Sequence, residues 1–162
     1  MAPSETAFLF SAIQELGKIV KADYGWIALH DRQKSTARII CEYIDTDRQI
    51  YPTSKIGREI NIQLYPQFYA RLSESESWID PPVEIIPTVY QDLLSPTSQL
   101  AICPIILDPQ GSADRAGHQN NGIVGEIGIL TTGELDWESC QSQAIVQTFS
   151  HAIQLFRKAH PQ

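Results

Sequence analysis

The last third of the chain constrains the fold most. Residues 100–107 form an apolar run, residues 108–122 are polar and rich in turn formers, residues 123–131 are apolar again, and residues 136–158 carry a helical apolar period. Apolar runs this short, bounded by turn formers, read as buried strands, whereas the longer periodic segment reads as an amphipathic helix. Pro104 cannot donate to a sheet ladder, so it belongs at a strand end, an edge or a bulge. Gly125 and Gly128 lie where a backbone can approach its neighbours closely. Asp136 suits an N-cap, with Ile145, Phe149, Ala152, Ile153 and Phe156 on one face and Arg157 and Lys158 near the C-terminus.

The segments before it fit the same plan. Leu9, Ala12, Ile13, Leu16, Ile19 and Val20 recur at helical spacing, and Ser4 stands where it could cap that helix. Phe8 and Phe10 flank the stripe and widen it, so part of this face can meet a second helix or a second chain. Residues 24–30 and 36–44 read as a hairpin about the polar turn 31–34. A polar loop over 45–54 leads to an extended piece at 58–62. Leu64, Phe68 and Leu72, each four residues apart, predict a short helix. Residues 73–77 are hydrophilic, Trp78 opens an irregular stretch, 83–86 is a short apolar piece, and 88–94 could form another brief helix. This order predicts an α+β fold: a central antiparallel sheet, terminal helices on one face and short helices and loops over the other. Strands and helices do not alternate strictly, which argues against a doubly wound sheet.

Composition narrows the function classes. The 162 residues, 43% of them apolar, suit one domain with a single core. The net charge of −7 comes with scattered lysines and arginines, so no basic stripe stands ready for nucleic acid. No apolar run approaches the roughly 18–20 residues of a membrane span, and the start lacks the pattern of a secretion signal. The expectation is a cytoplasmic domain without membrane contact. Cys41, Cys103 and Cys140 are far apart and form no CxxC pair, so they read as free thiols packed as small hydrophobes. His30, His118, His151 and His160 are equally dispersed, and no metal site is expected. No nucleophile triad, phosphate-cradling loop or paired-carboxylate motif appears, and no catalytic residue is assigned. Glu126, Glu134 and Asp136 read as solvated strand-end and helix-cap groups.

Together these segments resemble a GAF domain across nearly the whole chain. The likeness is carried by the opening helix before Ala22 and Asp23, the strand ending at Leu29, His30 and Asp31, Pro104 and Ile105 within their strand, the strand at 125–130, and Trp137 at the start of a helix ending in apolar and basic residues. The hairpin at 36–43 and Asp92-Leu93-Leu94 look like those of cyanobacterial sensor histidine kinases. The resemblance implies a single sensor domain over 1–162, excised from a longer signalling protein, that binds a small molecule non-covalently or serves as a dimerising relay. It implies homodimerisation through the terminal helices, and a pocket under the middle segments with Trp78, Tyr90 and Leu94 in its wall. GAF domains hold cyclic nucleotides, linear tetrapyrroles, haem or metabolites, and the resemblance does not single out one cofactor. A bilin photosensor would carry a Cys-His pair where Val89 and Tyr90 stand. A GAF-fold methionine sulfoxide reductase would need a reactive thiol, and a cyclic-nucleotide site an Asn-Lys motif that is absent.

Overall fold

The computed structural model describes residues 3–47, 53–74, 78–106 and 123–132. Its elements are α1 (Pro3–Ile19), β1 (Tyr24–Asp31), β2 (Thr36–Ile44), β3 (Glu59–Asn61), α2 (Pro66–Ser73), β4 (Trp78–Ile79), α3 (Thr88–Gln91), β5 (Gln99–Ile106) and β6 (Ile123–Thr131), with single 3-10 turns at Ile62–Leu64 and Val83–Ile85. The strands form one sheet in the order β3-β2-β1-β6-β5-β4, with every pairing antiparallel. The helix expected over 136–158 and the polar loop at 108–122 lie outside the described residues.

Helix α1 covers one face of the sheet. Leu9, Ile13, Leu16 and Val20, one turn apart along the helix, are buried against Ile27, Leu29, Cys41, Cys103, Ile105, Ile127 and Ile129. Gly17 lets the helix lie against β2, because a Cβ there would fall 2.3 Å from the Tyr43 ring. The helix begins at Pro3, which suits the first helical position, so Ser4 stands inside the first turn and not at the cap. It ends with Lys21 in the left-handed region at φ 56°, while Ala22 N–H donates to the Gly17 carbonyl and Lys21 N–H to that of Lys18. That pairing is a Schellman ending, which satisfies carbonyls the helix would otherwise leave open. Ile19, expected within the apolar stripe, is instead 51% exposed, and Phe10 is 47% exposed.

The opposite face is covered by α2, α3 and the turns between them. Phe68, Tyr69 and Leu72 of α2, Ile86, and Val89, Tyr90 and Leu93 around α3 are buried over Tyr24, Trp26, Ala28, Ile39, Leu100 and Ile102. Leu64 does not join Phe68 and Leu72: it belongs to the preceding 3-10 turn and is exposed. Pro66 explains the difference. The residue before a proline avoids helical geometry, and Tyr65 sits at φ −128°, ψ 56°, so the helix cannot extend back to Leu64. The Tyr65 hydroxyl then lies 3.1 Å from Thr88 Oγ1 and accepts from Thr88 N–H at 3.3 Å, tying the start of α2 to the start of α3.

Two irregularities set which side chains face which layer. Along β1–β2, Ile27 pairs with Cys41 but Ala28 pairs with Ile39, which leaves Ile40 as an extra residue in β2. Such a bulge shifts the two-residue side-chain period by one. Ala37 and Ile39 before it, and Glu42 and Ile44 after it, can therefore all face α2 and α3. A second shift falls between Ile105 and Ile106. Pro104 stands beside it and beyond the end of β4, whose ladder reaches only Ile102 and Ala101, so its missing N–H interrupts no central ladder. Strand β4 itself has no alternating pattern in the sequence. Asp80 fixes it, donating its N–H to the Leu100 carbonyl at 2.7 Å and accepting from Leu100 N–H through Oδ1 at 3.1 Å.

Candidate functional site

The face beneath α2 and α3 is built from aromatic rings. Trp26, central on β1, pairs across the ladder with Gly128 of β6, and a Cβ at Gly128 would fall 2.0 Å from the indole. Glycine is thus what allows the Trp26 ring to lie flat against β6. Tyr90 packs on Trp26 with ring centroids 4.7 Å apart, Tyr24 stacks on Trp26 at 5.5 Å, and Phe68 stacks on Trp78 at 5.5 Å. The exposed Arg71 guanidinium lies 5.4 Å from the Trp78 ring centroid, at the rim of this layer.

Within it stands one wholly buried carboxylate, Glu126. Its place in the middle of β6, opposite Ala28 of β1 and Pro104 of β5, corrects the expectation of a solvated strand end. His30 Nε2 lies 2.7 Å from Glu126 Oε2, the Tyr69 hydroxyl donates to Oε1 at 3.2 Å, and the Tyr90 hydroxyl donates to the same oxygen. Burial tolerates a carboxyl group only when its oxygens are bonded, and this one draws partners from β1, α2 and α3 at once. Burial first, then the neighbouring Glu126 carboxylate, pushes the Tyr69 and Tyr90 hydroxyls well above their ordinary range, so both remain proton donors at physiological pH. The buried Trp26 indole N–H makes no hydrogen bond of good geometry. It lies close enough to the Tyr90 hydroxyl to oppose slightly that upward shift.

A second buried carboxylate lies on the same face. Glu42, opposite Trp26 in the β1–β2 ladder, accepts from the Tyr24 hydroxyl at 2.6 Å and from Lys55 N–H at 3.0 Å, both on Oε2. Burial, and then Glu42, drives the Tyr24 hydroxyl far above its usual range. The two described thiols are on the other side. Cys41 and Cys103 are buried beneath α1, and burial pushes each from 9.0 to about 12. Thiols so placed are neutral and shielded, the opposite of a reactive nucleophile.

The three residues expected in the pocket wall all meet this layer. Tyr90 is at its centre, Trp78 at its flank, and Leu94, half-buried, packs at its edge. Sequence reasoning missed Glu126, His30, Tyr69 and Trp26. The available signal was Glu126 itself, an acidic residue inside an apolar strand run where a solvated group has no room.

No family model matches the sequence, and no curated protein matches it. Solved structures do. The phycocyanobilin-bound GAF domain from a cyanobacterial phytochrome has a TM-score of 0.69 and 14% identity, covering 98% of this chain and 88% of that one. The chromophore-binding domain of the R. palustris bacteriophytochrome RpBphP3 has a TM-score of 0.66 and 15% identity over 96% of this chain, which spans 57% of its length. The PixJ GAF domain of Thermosynechococcus elongatus, in its blue-light absorbing form, has a TM-score of 0.62 and 9% identity, covering 96% of this chain and 88% of that one. The chain has the GAF fold.

Proposed function

We propose that this chain is a regulatory sensor domain that holds a small molecule non-covalently over the aromatic face of its sheet and relays occupancy through its terminal helices. The observation that carries this reading is Glu126, a buried carboxylate reached by His30, Tyr69 and Tyr90 from three separate elements, on the face of the sheet that also carries Trp26, Phe68 and Trp78. A purely structural core gains little from such a group, because replacing buried polar networks by apolar side chains is often neutral or stabilising. Few polar groups set among aromatic walls are instead the usual make-up of a small-ligand site. In this reading Trp78, Tyr90 and Leu94 are wall residues, the chain has no catalytic activity of its own, and it works in the cytoplasm. The parent protein is a sensor histidine kinase, paired through α1 and the C-terminal segment, with the exposed Phe10 in the contact. A ligand biases such a relay only by its difference in affinity between two states, typically about 1–3 kcal/mol.

The second reading is a bilin photosensor, favoured by solved neighbours whose GAF domains are described as phycocyanobilin-bound and phycoerythrobilin-bound. Against covalent attachment stand Val89 and Tyr90 in place of a Cys-His pair, and the position of Cys41 and Cys103 beneath α1. The same two thiols weigh against the reductase reading. Purification from the native host, followed by absorption spectroscopy and mass spectrometry before and after denaturation, separates the cases. A colourless protein releasing a small organic compound on denaturation supports the first reading. A visible band after incubation with phycocyanobilin supports the second, and a protein that pairs with no compound in either experiment refutes both.

A further inference from the structure

We propose that the two edges of the sheet are complementary docking surfaces, and that the β3 edge of one copy of this chain receives the β4 edge of another, so that copies associate head to tail. The order β3-β2-β1-β6-β5-β4 puts these strands at opposite ends of the sheet, roughly 24 Å apart at the usual strand spacing. Each edge keeps backbone groups turned away from its neighbour, because alternate residues of an antiparallel ladder face opposite sides. Ile39 N–H donates to the Arg58 carbonyl and Ile62 N–H to that of Ser35, so Arg58, Ile60 and Ile62 face β2 while Glu59 and Asn61 turn their N–H and C=O outwards. On the other edge Asp80 N–H donates to the Leu100 carbonyl, which leaves the preceding Ile79 turned outwards. All three outward-turned residues are exposed. Such groups on an exposed edge are a template for a further strand.

Charge decides which strand fits which edge. Lys34 precedes Ser35, to which the end of β3 is bonded, Arg38 stands opposite Glu59 in the ladder, and Lys55 and Arg58 form the turn that enters β3. These four cations surround one carboxylate, Glu59, while Asp31 and Arg32 at the hairpin tip offset each other. At the β4 edge Glu74 closes α2 just before the strand, Asp80 follows it and Glu84 lies in the next turn, three exposed carboxylates against the one guanidinium of Arg71. Among the described residues Lys34, Arg38, Arg58, Glu74 and Glu84 form no ion pair. Two β3 edges would set cation against cation and two β4 edges carboxylate against carboxylate, which is destabilising across a ladder. β3 against β4 brings opposite signs together and covers the exposed Ile56 beside β3 and Ile79 on β4. Pro81 and Pro82 lack N–H groups, so the added ladder ends at Ile79 and the contact is short. So small an area fits a weak interface, with Kd between about 1 μM and 1 mM. Unlike pairing through α1, in which one surface meets itself, a contact between two different surfaces leaves a free edge at each end and continues past the dimer.

Sedimentation velocity of the full chain, from about 10 μM to about 1 mM, tests this. At about 0.05 M salt the mean mass should rise with concentration past that of a dimer, and about 0.5 M salt should weaken association by about tenfold or more, as for a few exposed ion pairs. Lys34→Glu with Arg58→Glu turns the β3 edge acidic, and Glu74→Lys with Glu84→Lys turns the β4 edge basic. Each double variant alone should associate about tenfold more weakly with its circular dichroism unchanged, and an equimolar mixture of the two should regain the loss, because each edge again meets its opposite. Arg58→Gln, which removes one exposed charge without adding another, should weaken association several-fold. A chain that stays monomeric up to about 1 mM would overturn the inference. So would an association indifferent to salt and to both charge reversals, the behaviour of pairing through α1, and so would a mixture that associates no better than its separate variants.

Discussion

Replacing Gly128 by alanine should be among the most damaging single-methyl additions to this domain. The new Cβ would lie 2.0 Å from Cζ2 and 2.3 Å from Cε2 and Cη2 of Trp26. Carbon atoms in contact sit about 3.5–4.0 Å apart, so the indole must move by roughly 1.5 Å or more. It has little room to move, since Trp26 is wholly buried and packed against the rings of both Tyr24 and Tyr90. Overpacking of a closed core costs about 1–3 kcal/mol, and a displaced Trp26 that also dislodged Tyr90 from Glu126 would add about 1.5–3 kcal/mol. A loss near 3 kcal/mol corresponds to a fall in Tm of about 6–12 °C for a domain of this size. Urea unfolding followed by circular dichroism measures it, and near-ultraviolet spectra report the indole environment. The clash also predicts a coupling: Trp26→Val, harmful alone, should cost less in the Gly128→Ala background, because the alanine then meets no ring. A change below about 0.5 kcal/mol for Gly128→Ala, or strictly additive effects in the double variant, would refute the packing argument.

The remaining predictions concern the buried polar groups. Tyr24→Phe removes the 2.6 Å bond to Glu42 and should destabilise by about 1.5–3 kcal/mol in the same unfolding assay, leaving the secondary structure intact. Cys41 and Cys103, buried and with thiols pushed up to about 12, should resist iodoacetamide at pH 8 in the folded protein and react promptly in urea, as read by mass spectrometry. The same shifts fix a pH dependence. The folded state holds these protons more tightly than the unfolded chain, so their stabilising contribution is complete below about pH 9 and is lost as pH rises towards about 12. Each thiol contributes a slope of up to about 1.4 kcal/mol per pH unit in that window, and replacing both by alanine should flatten stability between pH 9 and 10, before the tyrosines titrate.

Much of the fold was legible because periodicity reports burial directly. The stripe Leu9, Ile13, Leu16 and Val20 faces the sheet as its spacing requires, and the hairpin of β1 and β2 pairs about the turn that Asp31 stabilises, its Oδ1 accepting from Gln33 and Lys34 N–H at 3.0 and 3.2 Å. The misses have local causes. Leu64 carries the right spacing for a helix, but Pro66 excludes the preceding residue from helical geometry. Strand β4 is two residues long, too short for a pattern, and exists because Asp80, at φ 53°, clasps Leu100 from both sides. For Glu126 the apolar run around it signals burial, but nothing local names its partners. Its surroundings come from residues 96, 57 and 36 positions away in the chain, which no local window can join.

The extra residue in β2 ties these observations together. If Ile40 took a regular place in the ladder instead of bulging, alternation would carry Glu42 to the α1 face, among Leu9, Ile13 and Leu16 and away from the Tyr24 hydroxyl. With the bulge, Ile40 and Cys41 both pack towards α1 and Glu42 turns to the aromatic face. Glu42 and Glu126 thus share the layer of Trp26 and Tyr90, and both described thiols share the other. Deleting Ile40 removes the extra residue and leaves Cys41 opposite Ile27 and Ile39 opposite Ala28, now in regular alternation, so Ile39 and Glu42 stay on the aromatic face. The cost is then the packing of Ile40 against the α1 layer, up to about 2–5 kcal/mol, and the deletion variant should still unfold cooperatively; Ile40→Val should lose about 0.5–1.5 kcal/mol. A deletion variant without a cooperative transition would show that the pairs on either side of the bulge do not hold without the extra residue.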